Sequence, residues 1–259
     1  PISDLLADKS AAFLAELEKY LKLTFPKENF ADWETQIYRV WTDTLLRILI
    51  QIRNYHHGGA ILITDRFAGL TIKYPLSYLR LRGAMVRFMK YKISYEITLR
   101  RIENSKSDIK RDVFDKLELY RIKKAEAANE LKGAIRFIAS HSCVDGLIIL
   151  DGDLKSLGFG TIIDVISPPE RIFISSTARY RVSNLKKKSP SELGTRHQSM
   201  ISFCWLNEEA IGIVLSQDGE IRVMTKYDKR LVMWEDVKTQ RYLKSRINIY
   251  HTLEALDEE

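Results

Sequence analysis

Two short stretches carry the residue types that chemistry needs. Cys143-Val144-Asp145-Gly146-Leu147-Ile148-Ile149-Leu150 has the form of a buried strand with a carboxylate and a glycine at its amino end. Leu193-Gly194-Thr195-Arg196-His197-Gln198-Ser199 offers a close backbone approach, then a hydroxyl, a guanidinium and an imidazole on consecutive residues. A carboxylate at a strand mouth can hold a metal ion or accept from a sugar hydroxyl. A Gly-Thr-Arg-His run can grip phosphate. Together they point to a nucleotide site.

The elements that must position these residues follow from periodicity. Apolar residues at helical spacing over 4–24, with Ser3 as N-cap, predict a helix that Pro26 breaks. A second helix is expected from Asp32 to about Asn54, with Trp33, Ile37, Val40, Trp41, Leu45, Ile48 and Ile52 on one core-facing side. After Tyr55-His56-His57-Gly58-Gly59, Ala60 to Thr64 is expected as a buried strand. The paired histidines suit a turn better than a metal, because adjacent extended residues face opposite ways and no third ligand is near in sequence.

Residues 72–140 are expected to be mostly helical, with Tyr91 to Ile102 ambiguous and a strong helix from Ser107, as N-cap, to about Ala139. The Asp145-Gly146 strand follows, then Gly158-Phe159-Gly160 leading into a strand from Thr161 to Ile166. Gly59-Ala-Ile-Leu-Ile echoes Gly146-Leu-Ile-Ile-Leu, which we take as two neighbouring buried strands with glycine entries. Ile172 to Ile174 suggests a short strand. Arg179 to Lys188 is basic and irregular, and Lys186-Lys187-Lys188 is expected to be a solvated loop, or a phosphate-attracting flap.

Ser189-Pro190-Ser191-Glu192 has the form of a capping box and predicts a helix through Gly194-Thr195-Arg196-His197 to about Cys204, with its first amides towards any phosphate. Strands over 210–216 and 220–224 flank Asp218-Gly219 as a two-residue hairpin. A further strand is expected at Leu231 to Trp234, and an amphipathic helix at 236–256. The fold expected is α/β, a central mixed sheet flanked by helices, with an N-terminal helical extension and a C-terminal helix. Its divisions are 1–55, 56–235 with a helical insert at about 72–140, and 236–259.

Composition narrows the partners. The chain has 259 residues, 45% hydrophobic and 29% charged, which is enough for a large core and argues against disorder. A net charge of +7 mildly favours an anionic partner, yet no dense basic block or reader motif accompanies it, so nucleic acid is not expected as the principal ligand. Cys143 and Cys204 lack metal-ligand spacing and are expected to be reduced core residues. No apolar run approaches the ~20 residues of a membrane span, and no signal-peptide pattern is present, so a cytoplasmic location is expected. The start at Pro1, without Met, suggests a processed or excised piece of something longer.

Over about residues 45–235 the order of motifs resembles the diadenylate cyclase (DAC) domain, and within that group the nucleotide-sensor branch of DAC-like domains. The similarity rests on the Gly-Gly strand, the Asp-Gly strand followed by Gly-Phe-Gly, Gly-Thr-Arg-His-x-Ser, and Ser-Gln-Asp-Gly. An active domain of that family joins two ATP molecules into cyclic di-AMP across a face-to-face pair of domains. The resemblance implies that Asp145, with Gly146, stands beside the attacking hydroxyl and a Mg2+ or Mn2+ ion, and would be the catalytic residue if the chain is active. It places Gly194 and Thr195 in the nucleotide pocket, Arg196 and His197 on the phosphates, and Ser199, Ser216 and Gln217 among the nucleotide contacts.

Three departures point away from catalysis. Gln198 stands where the family has a second arginine, Gln217 where it has a glutamate, and Leu147 where it has an alanine, narrowing the pocket beside Asp145. Losing one electrostatic contact to a transition state costs about 2.7–4 kcal/mol. Binding depends less on such contacts. The function expected is therefore a sensor of an adenine nucleotide or a cyclic dinucleotide with weakened catalysis, acting as a homo-oligomer on an effector domain or partner protein. An active diadenylate cyclase is the first alternative. A ligand-free interaction domain is the second.

Overall fold

The computed structural model describes residues 2–105, 109–175, 182–235 and 237. The expected N-cap at Ser107 and the helix at 236–256 lie outside the described residues. Among the described residues six α-helices precede, interrupt and cover one sheet: α1 (Ile2–Lys9), α2 (Ala11–Thr24), α3 (Ala31–Asn54), α4 (Arg80–Glu103), α5 (Arg111–Ser140) and α6 (Thr195–Leu206). The strands are β1 (Gly59–Ile63), β2 (Leu70–Tyr78), β3 (Leu147–Leu150), β4 (Ser156–Ile163), β5 (Ile172–Ser175), β6 (Leu185–Lys188), β7 (Ile211–Leu215), β8 (Ile221–Tyr227) and β9 (Arg230–Trp234). They pair in the order β2-β4-β3-β1-β7-β8-β9-β5-β6. The fold is α/β, with a mixed central sheet flanked by helices.

The two apolar runs with glycine entries become adjacent central strands. β1 and β3 are parallel, Ile61 opposite Ile148, and β7 joins the other side of β1 antiparallel, Gly59 opposite Leu215. All three are buried along their whole length, because helices cover both faces. Ile61, Ile63, Ile148, Leu150, Ile211 and Ile213 face the core shared with α2–α5. Ala60, Leu62, Leu147, Ile149 and Val214 face a second core under α6. Burying one such Leu or Ile fully contributes roughly 1.5–3 kcal/mol.

The structure corrects the sequence reading in several places. Residues 4–24 are two helices, since Ser10 interrupts them and turns its hydroxyl back to the Ala7 carbonyl. Ser3 lies inside α1, after its first residue. Ile72 to Tyr78, expected to open a mostly helical stretch, belongs to an edge strand, Leu70–Tyr78. Its β-branched and aromatic residues suit a pleated surface, and Pro75 is tolerated because one side of an edge strand needs no ladder donor. The Lys186-Lys187-Lys188 triplet is neither loop nor flap but belongs to β6, the opposite edge, where lysines discourage further pairing. Tyr91 to Ile102 is helical, within α4.

The Asp218-Gly219 turn also differs from expectation. Ser216 and Gly219 close a β-turn, Gly219 with a left-handed φ of 88°, so a longer loop than two residues joins β7 to β8. The two-residue hairpin is instead Asp228-Lys229, both at positive φ, between β8 and β9. Of the helices among the described residues, none is long and apolar enough to cross a membrane.

Candidate functional site

The site residues converge on one end of the central strands. Asp145 lies two residues before β3, Gly58 one residue before β1 and Ser216 one residue after β7, so the three stand at the same end of three adjacent strands. Gly58 has a φ of 70°, and a Cβ there would stand 2.8 Å from the Leu215 carbonyl oxygen and 3.4 Å from both Arg196 Nη1 and the Gln217 amide nitrogen. Only glycine lets the guanidinium, the strand end and the turn approach this closely.

Gly146 is required for a related reason. Its φ is 118°, and a Cβ would fall 2.5 Å from the Gly160 carbonyl carbon and 2.7 Å from Gly160 Cα. The Asp-Gly pair and the Gly-Phe-Gly stretch are therefore two sides of one backbone crossing. Asp145 is exposed at this crossing, with no hydrogen-bond or ion-pair partner among the described residues. Leu147 does not narrow the space beside it. Its side chain is buried in the core under α6.

Helix α6 supplies the cationic side. The Ser189–Glu192 capping box forms, but it closes a single 3-10 turn, and extended Leu193 and Gly194 separate it from the helix. Gly194 is the N-cap of α6, without any side-chain cap, so the amides of Thr195 and Arg196 face outwards at a helix end. Thr195 and Arg196 are exposed, and Arg196 has no hydrogen-bond or ion-pair partner among the described residues. Arg53, at the end of α3, lays its methylene stem against Gly219 in the β7–β8 turn, about 3.1 Å from where a Cβ there would be. The helix is held close to the sheet by Gly212, where a Cβ would meet Met200 Cγ at 2.3 Å.

Not every expected contact is available to a ligand. Gln198 turns back and donates to the Leu193 carbonyl at 2.6 Å, a structural bond at the entry to α6. Ser199 donates to the Thr195 carbonyl at 3.1 Å, one turn into the helix. The Ser216 hydroxyl is engaged by the Asp218 carboxylate, and this bond holds the Asp218 carboxyl below its usual range. Gln217 is exposed, its backbone amide against Gly58.

His197 is half-buried and its pKa is pushed down to about 4, first by burial and then by Arg222, Arg196 and Lys188. The imidazole is neutral at neutral pH, so it is not a charged phosphate contact. Arg222 Nη1 donates to His197 Nε2 at 3.2 Å, which leaves the ring proton on Nδ1. Arg222 escaped the sequence reading. Its signal was a lone guanidinium between buried Ile221 and Val223, and strand alternation turns it to the α6 face.

The cysteines part company. Cys204 is buried and its thiol is pushed up to about 12 by desolvation. Cys143, expected in the core, is exposed, with Sγ 3.2 Å from His57 Nε2. His57 Nδ1 bonds the Gly58 carbonyl at 2.8 Å, which ties the histidine turn to the site.

No protein-family model matches the chain, and no curated protein matches it.

A cavity of about 500 Å³ opens at the opposite end of the strands, after β1 and β3, beside Asp8, Lys9, Asp65, Asp151, Asp153 and Glu209. Arg82 pairs with Asp153 and Lys9 reaches Asp65, but the lining stays net acidic and repels phosphate, so concavity alone does not move the nucleotide site there. Among the described residues, no group of three or more His, Cys, Asp or Glu side chains could hold a metal ion. The single unpaired carboxylate of Asp145 fits a Mg2+-type ion that keeps its waters and is carried mainly by ligand phosphates.

Proposed function

We propose that this chain is a DAC-like nucleotide-binding sensor domain whose ligand lies across the Asp145, Gly58 and Ser216 strand ends. The observation that carries this reading is that Arg196 Nη1 and the Gln217 amide each come within 3.4 Å of where a Gly58 Cβ would stand, with Asp145 unpaired at the entry to the neighbouring strand. Arg196 and the outward amides of Thr195 and Arg196 grip phosphate, and Asp145 accepts from a ribose hydroxyl or holds the ligand's divalent ion. Such an ion, Mg2+ or Mn2+, would neutralise phosphate charge between Asp145 and Arg196.

The ligand class is an adenine nucleotide or a cyclic dinucleotide. The contact residues form an open edge, with Asp145, Thr195, Arg196 and Gln217 all exposed. A second copy facing the first would enclose the ligand, and the pairing of copies would carry the signal to an effector or partner. Gln198, held by the Leu193 carbonyl, offers no charge to a transition state, which supports binding over catalysis. Calorimetric titration with ATP, AMP and cyclic di-AMP tests the reading. Binding that disappears in Arg196→Ala supports it, and absence of binding by all three removes it.

An active cyclase is the second reading, favoured by the exposed, unpaired Asp145. Incubation with ATP and Mg2+ or Mn2+ decides it. Cyclic di-AMP formed by the wild type and not by Asp145→Asn would replace the sensor reading.

A further inference from the structure

Three cations on the α6 side of this edge converge on a group that cannot share their charge. Arg222 projects from β8, Lys188 ends β6 and Arg196 is the second residue of α6. All three stand close enough to His197 to oppose its protonation. Arg222 is held from two sides. Nη1 donates to His197 Nε2 at 3.2 Å, and Nη2 donates to Glu220 at 2.7 Å. Its Nε is buried with no hydrogen bond, because the Glu235 carboxylate stands 3.9 Å away. Lys188 shares that same carboxylate, also at 3.9 Å.

Arg222 thus faces two carboxylates, one of them shared with Lys188, and the bonds are uneven. The Arg222–Glu220 pair is at the surface, Glu220 being 46% exposed, and such solvent-screened pairs are weak. A phosphate oxygen, with more charge and better geometry for a guanidinium fork, can displace Glu220. His197 would stay in place as the acceptor that keeps the fork aimed.

We propose that Arg222 and Lys188, with Arg196, form a polyphosphate subsite beside the nucleotide site, so that ligands with an extended phosphate chain are held over AMP. This rests on the nucleotide reading above. Glu220 fills the subsite in the free protein. Arg222 and Lys188 take the outer phosphates of ATP, and Arg196 bridges to the inner one. A cyclic dinucleotide, which has only bridging phosphodiesters, leaves the subsite unfilled.

Calorimetry on the full chain with ATP, ADP, AMP and tripolyphosphate tests the proposal. The expected order is ATP over ADP over AMP, with measurable tripolyphosphate binding. Arg222→Ala should weaken ATP by about tenfold or more while changing AMP less than about twofold, and Arg222→Lys should restore part of the loss. Glu220→Gln, which keeps the side-chain shape, should tighten ATP several-fold, about the strength of the displaced pair. Equal affinity for ATP and AMP in the wild type, with Arg196→Ala weakening both, would overturn the subsite and leave the nucleotide reading standing. An ATP to AMP ratio unchanged by both Arg222→Ala and Glu220→Gln would do the same. No binding of any nucleotide by the wild type would overturn both.

Discussion

Arg222 Nη1 and His197 Nε2 meet at 3.2 Å, a strand residue donating to a helix residue 25 positions away in sequence. The bond makes the histidine an acceptor and a guide for the guanidinium rather than a cation. It also fixes how α6, which carries Arg196, is set against β8.

The first consequence is in pH dependence. With its pKa near 4, His197 stays neutral from pH 8 to pH 6, and affinity for cyclic di-AMP, whose phosphodiesters do not titrate there, should be flat across that range. A protonated His197 would instead make affinity fall as pH rises through 6.5. Stability should move the other way. The folded pKa lies below the unfolded value near 6.5, so the unfolded state binds more protons between the two. Stability is full above about pH 6.5 and declines as pH falls towards 4. NMR titration of the imidazole resonances checks the pKa directly, and a midpoint near 6.5 would contradict it.

Gly146→Ala should destabilise the protein by about 1–3 kcal/mol, because both the positive φ and the Gly160 backbone oppose a side chain. Urea denaturation measures the loss. A change under about 0.5 kcal/mol would show that the crossing with Gly160 can relax.

Gly212→Ala forces a methyl group onto Met200, so α6 must shift or Met200 must repack, at about 1–3 kcal/mol. Met200→Ala in the same chain should recover part of that cost. A double-mutant cycle measures the coupling, and strict additivity would place the strain elsewhere.

Asp145→Asn removes a charge with no internal partner, so stability should change by less than about 0.5 kcal/mol. Any Mg2+ or Mn2+ enhancement of nucleotide binding should be lost. A large fall in melting temperature would mean that Asp145 is a structural residue.

Thiol labelling should separate the cysteines. Cys143 is exposed and should react in the native protein, while buried Cys204, with its thiol held protonated, should react only on unfolding. Equal native rates would contradict the placement of α6 over β7.

Much of the sheet's centre was legible because burial on both faces leaves an unbroken apolar run. Gly59 to Ile63 and Leu147 to Leu150 could be matched as neighbours from pattern alone. Edges were harder. Leu70 to Tyr78 and the lysines of β6 alternate or carry charge, so they look like helix or loop until a partner strand is known. The site was half legible. Asp145-Gly146 and Gly194-Thr195-Arg196-His197 are local motifs, and the structure brings their strand and helix ends to one edge. Arg222, Arg53 and Gly58 act through pairings distant in sequence. The neutrality of His197 could not be read from the sequence, because it comes from burial and from cations on β8, α6 and β6.

Calorimetric titration of ATP into the wild type and Arg196→Ala tests the central claim most directly. Saturable binding by the wild type, weakened about tenfold or more in Arg196→Ala with the fold intact, is the predicted result. Equal binding by the two proteins, or none by the wild type, would contradict a nucleotide site at the Asp145, Gly58 and Ser216 strand ends.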